Sequence, residues 1–407
     1  MESKRVLFIS GSIGLGHIGR DLAIAKALRR RMPEVEIFWL AQDPASMVLS
    51  HAGEKLLPEA ALLAQENVKL ENSARGYEAN LINVTLGMRK GWAANARLIG
   101  DLVKREHFDL VVGDETYDLL IETVNNPSFK TFAFVMIYGF IGVDSVTHSP
   151  VDLVGTYMIN RLWVNALKAN PPTVDRSLFI GEVEDVPDRK FGFMLPNRRE
   201  LAQKSLDFVG YVLSFNPQEY ADKSGVKRLL GYGDEPLVVC SIGGTSAGRE
   251  LLDLCAQVFP LIREQLPNVR MVLVCGPRLS TDSVKATDGL EVKGYVPELF
   301  KHFAAADLCI VTGGGTATLE LIALQKSFLY FPLRKYFEQM TDVASRCQRY
   351  KAGVRMDFAK TTPELLAETV LAHIGKKVSY AAIRTGGAEN AADIISEVLE
   401  QPWSSAV

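Results

Sequence analysis

Residues 307–339 read DLCIVTGGGTATLELIALQKSFLYFPLRKYFEQ, and this stretch decides the fold of the chain. The apolar run from Leu308 to Val311 predicts a buried strand, and consecutive glycines separate it from a segment with helical spacing of apolar residues. A second apolar run, 328–332, predicts the next strand. Strand, tight turn, helix and strand in this order are typical of a parallel sheet. The sequence therefore predicts the α/β class.

The turn Gly313, Gly314 and Gly315 has the composition of an anion-binding site. Glycines let backbone N–H groups approach an anion closely, and the helix that Thr316 opens adds unpaired donors with a partial positive charge. Glu320 lies about one helical turn further on, where a carboxylate can accept from both hydroxyls of a ribose. The stretch predicts a nucleoside diphosphate site, and tight packing of the turn is the alternative.

Two polar residues, Glu338 and Gln339, follow the second strand. Ligands of α/β sheets bind at the rim where the carboxyl ends of the strands lie. We therefore expect these side chains to contact a sugar beyond the second phosphate. The order of turn, carboxylate and second polar cluster favours a nucleotide-sugar over packing alone.

This stretch resembles the donor site of the GT-B glycosyltransferases (family 28 and family 1 type). The branch concerned contains the bacterial peptidoglycan N-acetylglucosaminyltransferase, the plastid galactolipid synthases and the macrolide-type transferases. Its (G/H)GGxxTxxE motif resembles residues 313–320, GGGTATLE, in which one residue instead of two separates Thr318 from Glu320, and its (D/E)Q pair corresponds to Glu338 and Gln339. The resemblance implies two Rossmann-like domains that face each other across a cleft, and a nucleotide-sugar donor.

A second glycine turn, SIGGTSAG at residues 241–248, follows another predicted strand. Its Gly243 and Gly244 resemble the GGSxGA loop of the peptidoglycan enzyme. Thr245 and Ser246 carry hydroxyl groups that can donate to a diphosphate.

Two further donor-site candidates follow the later strands of this half. Arg278 could balance the charge of the departing diphosphate, although an exposed loop arginine fits the sequence equally well. By the resemblance, the backbone at Val296 would contact the base, which leaves uridine and thymidine open. No DxD motif stands near either glycine turn, so we expect neither a metal ion nor another cofactor.

The N-terminal loop GSIGLGHIGRD, residues 11–21, lacks the G-x-G-x-x-G spacing of a dinucleotide site, which disfavours a nicotinamide enzyme. Gly14 and Gly16 of this loop lead into His17. A neutral imidazole, with a pKa near 6.5, can take the proton of an attacking hydroxyl. A loop-packing histidine is the alternative, but the related enzymes carry a histidine at this place, which favours a catalytic or acceptor-orienting role.

A basic histidine needs a carboxylate on its other ring nitrogen. Asp114 and Glu115 follow the predicted strand 109–113 on the same rim as His17. Resemblance to the plant small-molecule transferases favours Asp114. Arg20 and Asp21, one turn beyond the histidine, are interpreted as a helix-surface pair.

The length of 407 residues is sufficient for two domains. We predict an acceptor-binding domain over 1–213, a nucleotide-sugar domain over 214–385, and a final helix over 386–407 that, by the resemblance, packs back on the first domain. The composition, 47% hydrophobic and 23% charged, is ordinary for a soluble globular protein. A net charge of −3 disfavours nucleic acid as a partner.

The cysteines have no metal-ligand spacing, which favours a reduced, cytoplasmic protein. No run approaches the roughly 20 apolar residues of a membrane span, so membrane contact, at the inner face, would be peripheral. Arg89 with Trp92 is a basic and aromatic pair that could touch a bilayer, although a solvated turn is the simpler interpretation. The apolar segments 60–70 and 158–169 predict core-facing helices.

Together these features predict an inverting glycosyltransferase that moves a hexose from a UDP-sugar or dTDP-sugar, UDP being favoured, to an acceptor hydroxyl, with His17 as the base. Two alternatives stay open. One is a nucleotide-sugar 2-epimerase of the same fold, whose early GTRPE signature is missing here. The other is a non-catalytic nucleotide-sugar-binding subunit. Neither the acceptor nor the oligomeric state can be read from the sequence.

Overall fold

The structure is a computed structural model that describes residues 3–11, 14–64, 77, 81–147, 149–169, 172–284 and 286–401, without the side chains of residues 81–90. These residues form two α/β units. Unit 1 contains the described residues up to 64, residues 81–214 and those from Arg384 onward. Unit 2 contains Tyr77 and Phe215–Ile383. The predicted α/β class is confirmed in both units.

Unit 1 is built on a seven-stranded sheet in the order β3-β2-β1-β4-β5-β6-β7, and every neighbouring pair is parallel. Parallel strands are covered by helices on both faces, so their sequences are apolar throughout. The strands are β1 Arg5–Ile9, β2 Glu36–Leu40, β3 Lys55–Leu56, β4 Leu110–Asp114, β5 Ala133–Tyr138, β6 Arg176–Ile180 and β7 Asp207–Gly210.

Unit 2 is built on a six-stranded parallel sheet in the order β10-β9-β8-β11-β12-β13. The strands are β8 Leu237–Ser241, β9 Arg270–Val274, β10 Leu290–Lys293, β11 Leu308–Thr312, β12 Phe328–Phe331 and β13 Val354–Arg355. All five cysteines of the chain are free and buried, where a thiol packs as a small apolar group.

Helices connect the strands and cover the sheets. They are α1 Leu15–Arg31, α2 Ala45–His51, α3 Leu81–Glu106, α4 Tyr117–Asn125, α5 Pro150–Leu167, α6 Arg198–Ser205, α7 Lys223–Leu229, α8 Arg249–Gln265, α9 Phe300–Ala305, α10 Gly315–Ala323, α11 Ala344–Arg349, α12 Pro363–His373 and α13 Gly387–Glu400. None of the helices in the described ranges is both long and apolar enough to cross a bilayer.

The two sheets reverse their strand order at equivalent places, between β1 and β4 in unit 1 and between β8 and β11 in unit 2. In open α/β sheets, ligands bind beyond the carboxyl ends of the strands at such a switch point. The turn before α1 lies at the switch point of unit 1. The turns before α8 and α10 lie at the switch point of unit 2.

The last helix, α13, packs on α1 within unit 1. Ala391 and Ile395 share a buried core with Ile18 and Leu22 of α1. Arg31 also pairs with Asp393 at 2.9 Å between Nη1 and Oδ1. The chain therefore returns from unit 2 to complete the core of unit 1.

Tyr77 belongs to unit 2 although the described residues on either side of it in sequence belong to unit 1. Its hydroxyl donates to the carbonyl of Phe331 at 2.7 Å, and its ring stacks on Phe358 with centroids 4.2 Å apart. The side chain is almost fully buried. The predicted domains did not include this insertion.

Helix α5 differs from the prediction that residues 158–169 face the core. Trp163 is buried as predicted, but Met158 and Leu162 are largely exposed. Val151 and Val154 extend this exposed apolar face toward the start of α5. The prediction is thus only half correct, because both sides of the helix are apolar. Of the other segment, residues 65–70 lie outside the described residues.

Candidate functional site

The helix α10 begins at the glycine turn that ends β11. Gly314 is its N-cap residue, and no side chain of the described chain caps its first turn. By contrast, Ser149 caps α5 and Thr362 caps α12 through side-chain oxygens. Because the first N–H groups of a helix have no partner within it, those of α10 are left for a ligand.

The three glycines of this turn serve different purposes. A Cβ atom at Gly313 would lie 3.0 Å from Cα of Pro332 and 3.1 Å from Oε1 of Gln339, so tight packing explains this glycine. A Cβ atom at Gly314 would meet nothing within 4 Å, so the backbone there is open to an approaching group. At Gly315, the carbonyl accepts from Arg346 Nη2 at 2.9 Å. The packing explanation therefore covers only part of the turn.

Arg346 was missed by the sequence analysis. It lies on α11 and fixes the turn by its hydrogen bond to Gly315. Its position 31 residues beyond the turn gives no local signal of this contact.

The second glycine turn of unit 2 lies beside the first. Gly243 and Gly248 have φ angles of +84° and +92°, which favour glycine over residues with a side chain. Ser241 pairs with Val311 in the parallel register of β8 and β11, and Thr312 donates to the Ile242 carbonyl at 3.4 Å. Both turns therefore lie at the switch point of unit 2.

The remaining residues of this turn were predicted to contact the diphosphate. Gly244 is buried, while Thr245 and Ser246 are partly exposed. A Cβ atom at Gly276 would lie 2.3 Å from the Gly243 carbonyl oxygen, so the loop that carries Arg278 abuts this turn. Arg278 is itself partly buried.

Val296 was predicted to contact the base. It follows β10, two strands away from β8, and is partly buried. It lies beyond the carboxyl end of its strand, on the same rim as the glycine turns but farther from the switch point.

The polar side chains of α10 have two roles: some hold the turn together, and one, Glu320, is left without a hydrogen-bond donor. The Thr318 hydroxyl donates to the carbonyls of Gly314 and Gly315 at 2.9 and 3.1 Å, and Thr316 in the first turn is partly exposed. Within the described ranges, no group donates a hydrogen bond to the carboxyl of Glu320. Burial raises the pKa of Glu320 to about 8. A partly buried carboxyl that lacks a hydrogen-bond donor in the protein is suited to accept hydrogen bonds from the hydroxyl groups of a ligand.

Glu338 and Gln339 do not follow β12 directly in the chain. They open a π-helical turn, Glu338–Val343, that begins seven residues after β12 ends. Gln339 is buried, and its Oε1 accepts from the Leu333 N–H at 2.8 Å. Glu338 is partly exposed, with Oε1 3.4 Å from where a Cβ atom of Gly315 would lie. The pair therefore reaches the turn from the side, and Gln339 also supports the loop.

In unit 1, the histidine and the aspartate singled out by sequence lie together. The uncapped N-terminus of α1 starts at Gly14, and Gly16 and His17 lie in its first turn. His17 Nδ1 is 2.9 Å from Oδ2 of Asp114, the last residue of β4. The Asp114 side chain is 1% exposed and that of His17 20% exposed. Ser12 and Ile13 of the loop lie outside the described residues.

The interpretation of Arg20 and Asp21 as a surface pair is wrong. Arg20 Nε donates to Asp114 Oδ2 at 3.0 Å, and its Nη2 binds Asp114 Oδ1 in a second, short contact. Asp21 is buried and accepts from the Ser10 hydroxyl. Both side chains point into the protein because β4 lies next to β1, directly beside the first turns of α1.

Glu115 completes the cluster. Its φ of +51° is strained for a residue with a side chain. Its Oε1 accepts from the Gly139 N–H at 3.1 Å and lies 3.4 Å from Arg20 Nη2. Strained backbone often marks a functional site, and here it turns a second carboxylate toward the guanidinium.

The charges of this cluster shift the pKa values of its members. Burial and the charge of Arg20 lower the pKa of His17, but Asp114 and Glu115 together more than offset this, and the net pKa is about 9. Burial would raise the pKa of Asp114, yet Arg20 and His17 hold it well below its usual range. Ligand atoms of His17, Asp114 and Glu115 lie within 4.8 Å of one another. Because Arg20 already supplies the positive charge that these carboxylates need, we interpret the group as an ion-pair cluster rather than a metal site.

Comparison with known proteins agrees with this geometry. Residues 238–398, which include the glycine turns of unit 2, match the glycosyltransferase family 28 C-terminal domain. The fold matches the crystal structure of the glycosyltransferase SnogD from Streptomyces nogalater with a TM-score of 0.58 and 15% identity, over 97% of this chain and 100% of that one. The chain therefore has the GT-B glycosyltransferase fold, and residues 238–398 match a family 28 C-terminal domain.

Two curated relatives of this chain differ in how much of each sequence the match covers. An uncharacterised glycosyltransferase of Methanopyrus kandleri is 26% identical over 47% of the chain, and the match spans only 54% of that relative. The UDP-N-acetylglucosamine–N-acetylmuramyl-(pentapeptide) pyrophosphoryl-undecaprenol N-acetylglucosamine transferase of Acetivibrio thermocellus is 23% identical over 97% of both chains.

Proposed function

We propose that this GT-B enzyme is an inverting hexosyltransferase that uses a nucleotide-diphosphate sugar, with a UDP-sugar favoured over a dTDP-sugar. The observation that carries the proposal is the uncapped N-terminus of α10 with the unpartnered carboxyl of Glu320 in its second turn. The donor name that the A. thermocellus relative carries, UDP-N-acetylglucosamine, favours uridine.

In this proposal the residues of unit 2 bind and stabilise the diphosphate. The N–H groups of the first turn of α10 and the hydroxyls of Thr245 and Ser246 donate to its oxygens, while Arg278 balances the charge that develops on departure. Glu320 accepts from the ribose hydroxyls. Glu338 and the amide N–H₂ of Gln339 contact the hexose. These groups require no metal ion.

Unit 1 supplies the acceptor site and the base. The acceptor oxygen attacks C1 of the hexose, the bond from C1 to the diphosphate oxygen breaks, and the nucleoside diphosphate leaves. In the neutral form of the His17 ring, Nε2 takes the hydroxyl proton while Nδ1–H donates to Asp114. One displacement on the face opposite the leaving group inverts the configuration at C1.

Binding and turnover of the donor test this proposal and separate its rivals. Calorimetry with UDP, dTDP and GDP should give the tightest binding for UDP. Incubation with UDP-hexoses alone should give slow hydrolysis. A new sugar nucleotide would indicate an epimerase, and binding without turnover a non-catalytic subunit. A mass-spectrometric acceptor screen then supplies a product, whose anomeric proton coupling must show inversion.

We also propose a cytoplasmic location with peripheral contact to the inner face of the membrane. The exposed face of α5 supports this, because it is apolar and lies beside two exposed basic residues, Arg161 in the helix and Lys168 just after it. The one carboxylate of the helix, Asp152, is buried. Phe193 and Met194 are each 83% exposed. The side chain of Arg89, in the predicted basic and aromatic pair, lies outside the described residues.

Vesicle co-sedimentation tests the membrane proposal. The protein should bind vesicles containing anionic phosphatidylglycerol more strongly than vesicles of phosphatidylcholine alone. The double variant Val154→Ser, Met158→Ser should lose this binding and keep its UDP affinity. Equal sedimentation of wild type and variant would exclude the α5 face.

A further inference from the structure

The ring nitrogen Nδ1 of His17 faces two groups that make opposite demands on it. It lies 2.9 Å from Oδ2 of Asp114, an acceptor, and 2.9 Å from Nη2 of Arg20, a donor. A single nitrogen cannot donate to the carboxylate and accept from the guanidinium at the same time. The proton therefore has alternative positions in this cluster.

Each position has a different chemical consequence. When Nδ1–H donates to Asp114, Nε2 carries a lone pair and can accept a proton. When Arg20 donates to Nδ1, the neutral ring carries its proton on Nε2 and is not a base there. When both nitrogens are protonated, the imidazolium is held by the carboxylates and is not a base either.

We propose that Arg20 is a positioning residue that weakens the hold of the carboxylates on the second proton of the His17 ring. Its two-point contact with Asp114 offsets part of the negative charge that favours this proton, so the ring becomes neutral, and able to act as a base, at a lower pH than it would without Arg20. This inference rests on the proposed function, in which His17 is the base. It assigns to Arg20 the tuning of that base rather than contact with the substrate.

The charge that His17 experiences comes from residues on two elements, α1 and β4. Arg20 and Asp21 come from α1, and Asp114 and Glu115 come from the end of β4. Asp21 is turned to Ser10, and both burial and the neighbouring Asp114 raise its pKa, which favours its neutral form. Two carboxylates then face one guanidinium and the ring. Without Arg20, both carboxylates would act on the imidazole alone.

The geometry favours an arginine over a lysine at this position. Nε and Nη2 bind the two oxygens of Asp114, and Nη2 also reaches Glu115 at 3.4 Å. A planar guanidinium can hold two carboxylates and a ring nitrogen in one fixed arrangement, whereas an ammonium is a single point of charge. Arg20→Lys should therefore restore the charge but only part of the effect.

The experiment is an NMR titration of the protein labelled with ¹³C-histidine. His17→Ala assigns the His17 signal among the six histidines. In Arg20→Gln the pKa of His17 should rise by about 1 unit or more, the scale of a neighbouring charge, and in Arg20→Lys by less. The acid limb of kcat/KM for the donor-dependent reaction should move upward by the same amount.

Arg29→Gln is the matched control. Arg29 lies on the same helix and holds Glu54 through two contacts, Nη1–Oε1 at 2.7 Å and Nη2–Oε2 at 2.6 Å. Removing this pair should leave the His17 titration and the pH profile unchanged. If Arg20→Gln does not fold, Arg20→Lys carries the test.

An unchanged or lowered His17 pKa in a folded Arg20 variant would overturn the inference. A raised pKa in a protein with no transferase or hydrolase activity would support the inference and remove the proposed function. Activity with an unmoved acid limb would remove the inference and keep the function.

Discussion

In unit 1, the turn at the switch point is surrounded by ionisable side chains that bind one another, Arg20, Asp114 and Glu115 among them. In unit 2, α10 begins at an N-terminus that is uncapped like that of α1, but Glu320 has a carboxyl to which no described group donates a hydrogen bond. A cluster whose charged groups pair with one another is suited to moving a proton. A site whose polar groups lack partners in the protein is suited to binding a ligand that supplies those partners. The same topology thus supports two kinds of site.

The strongest test of this contrast is His17→Ala. If the unit 1 cluster serves proton transfer alone, turnover should fall by roughly 10²–10⁴-fold, the usual contribution of a general base. UDP affinity should stay unchanged, because His17 has no part in holding the nucleotide. Steady-state kinetics and calorimetry measure the two effects. Asp114→Asn should lower turnover less, since it leaves the imidazole in place and changes its orientation and charge, together with the contact to Arg20.

The contrast would break if His17→Ala kept full activity, which would end its assignment as the base. Weaker UDP binding in this variant would instead move His17 to the phosphates, and the two turns would then share one task.

The reciprocal change is Glu320→Ala in unit 2. At pH 9, where Glu320 is ionised, loss of the carboxylate that accepts from the ribose should weaken UDP binding by about 1.5–3 kcal/mol, the range for hydrogen bonds to a charged group. Calorimetry measures it, and thermal unfolding serves as the control for folding. Unchanged affinity in a folded variant would remove Glu320 from the site.

The acidity of Glu320 allows the contrast to be sharpened by pH. Its pKa of about 8 in the free protein means that the carboxyl is protonated at neutral pH. Ribose hydroxyls donate best to the ionised form, so the UDP affinity should rise by up to about tenfold from pH 7 to pH 9. Glu320→Gln should flatten this dependence in the same calorimetric series. A wild-type affinity that falls over this range would show that the ligand prefers the protonated form.

The smallest effect is expected from Gln339→Ala. Loss of one neutral hydrogen bond to the hexose should weaken UDP-sugar binding by about 1 kcal/mol and leave UDP nearly unaffected. Gln339 also accepts from Leu333, so a lower melting temperature is expected as well. Equal losses for UDP and UDP-sugar would limit Gln339 to support of the loop.

The glycine turns could be predicted from sequence because their signal is local. The residues that need open backbone and those that start the helix are neighbours in the chain. Asp114 could be predicted as the partner of His17 because both follow parallel strands and the ends of such strands share a rim. Family resemblance then decided between Asp114 and Glu115.

Arg20 could not be predicted in the same way. Its spacing of three residues from His17 places both on one side of α1. Which element faces that side depends on the order of the strands in the sheet. For α5, the apolar pattern did not distinguish the side that packs from the side that is exposed. For Gln339, the side chain lies on a π-helical turn and returns to the end of β12, where it accepts from the Leu333 N–H, a contact that the sequence does not show.

Tyr77 has a consequence for the construction of hybrid enzymes. The continuous part of unit 2, which an exchange between related transferases would transfer to change the donor, is residues 215–383. The recipient would then keep its own residue at position 77, while the incoming unit brought its own counterparts of the Phe358 ring and the Phe331 carbonyl, which Tyr77 contacts in this chain. A hybrid must therefore take residue 77 from the same parent as unit 2, so the segment to be exchanged is discontinuous in the gene.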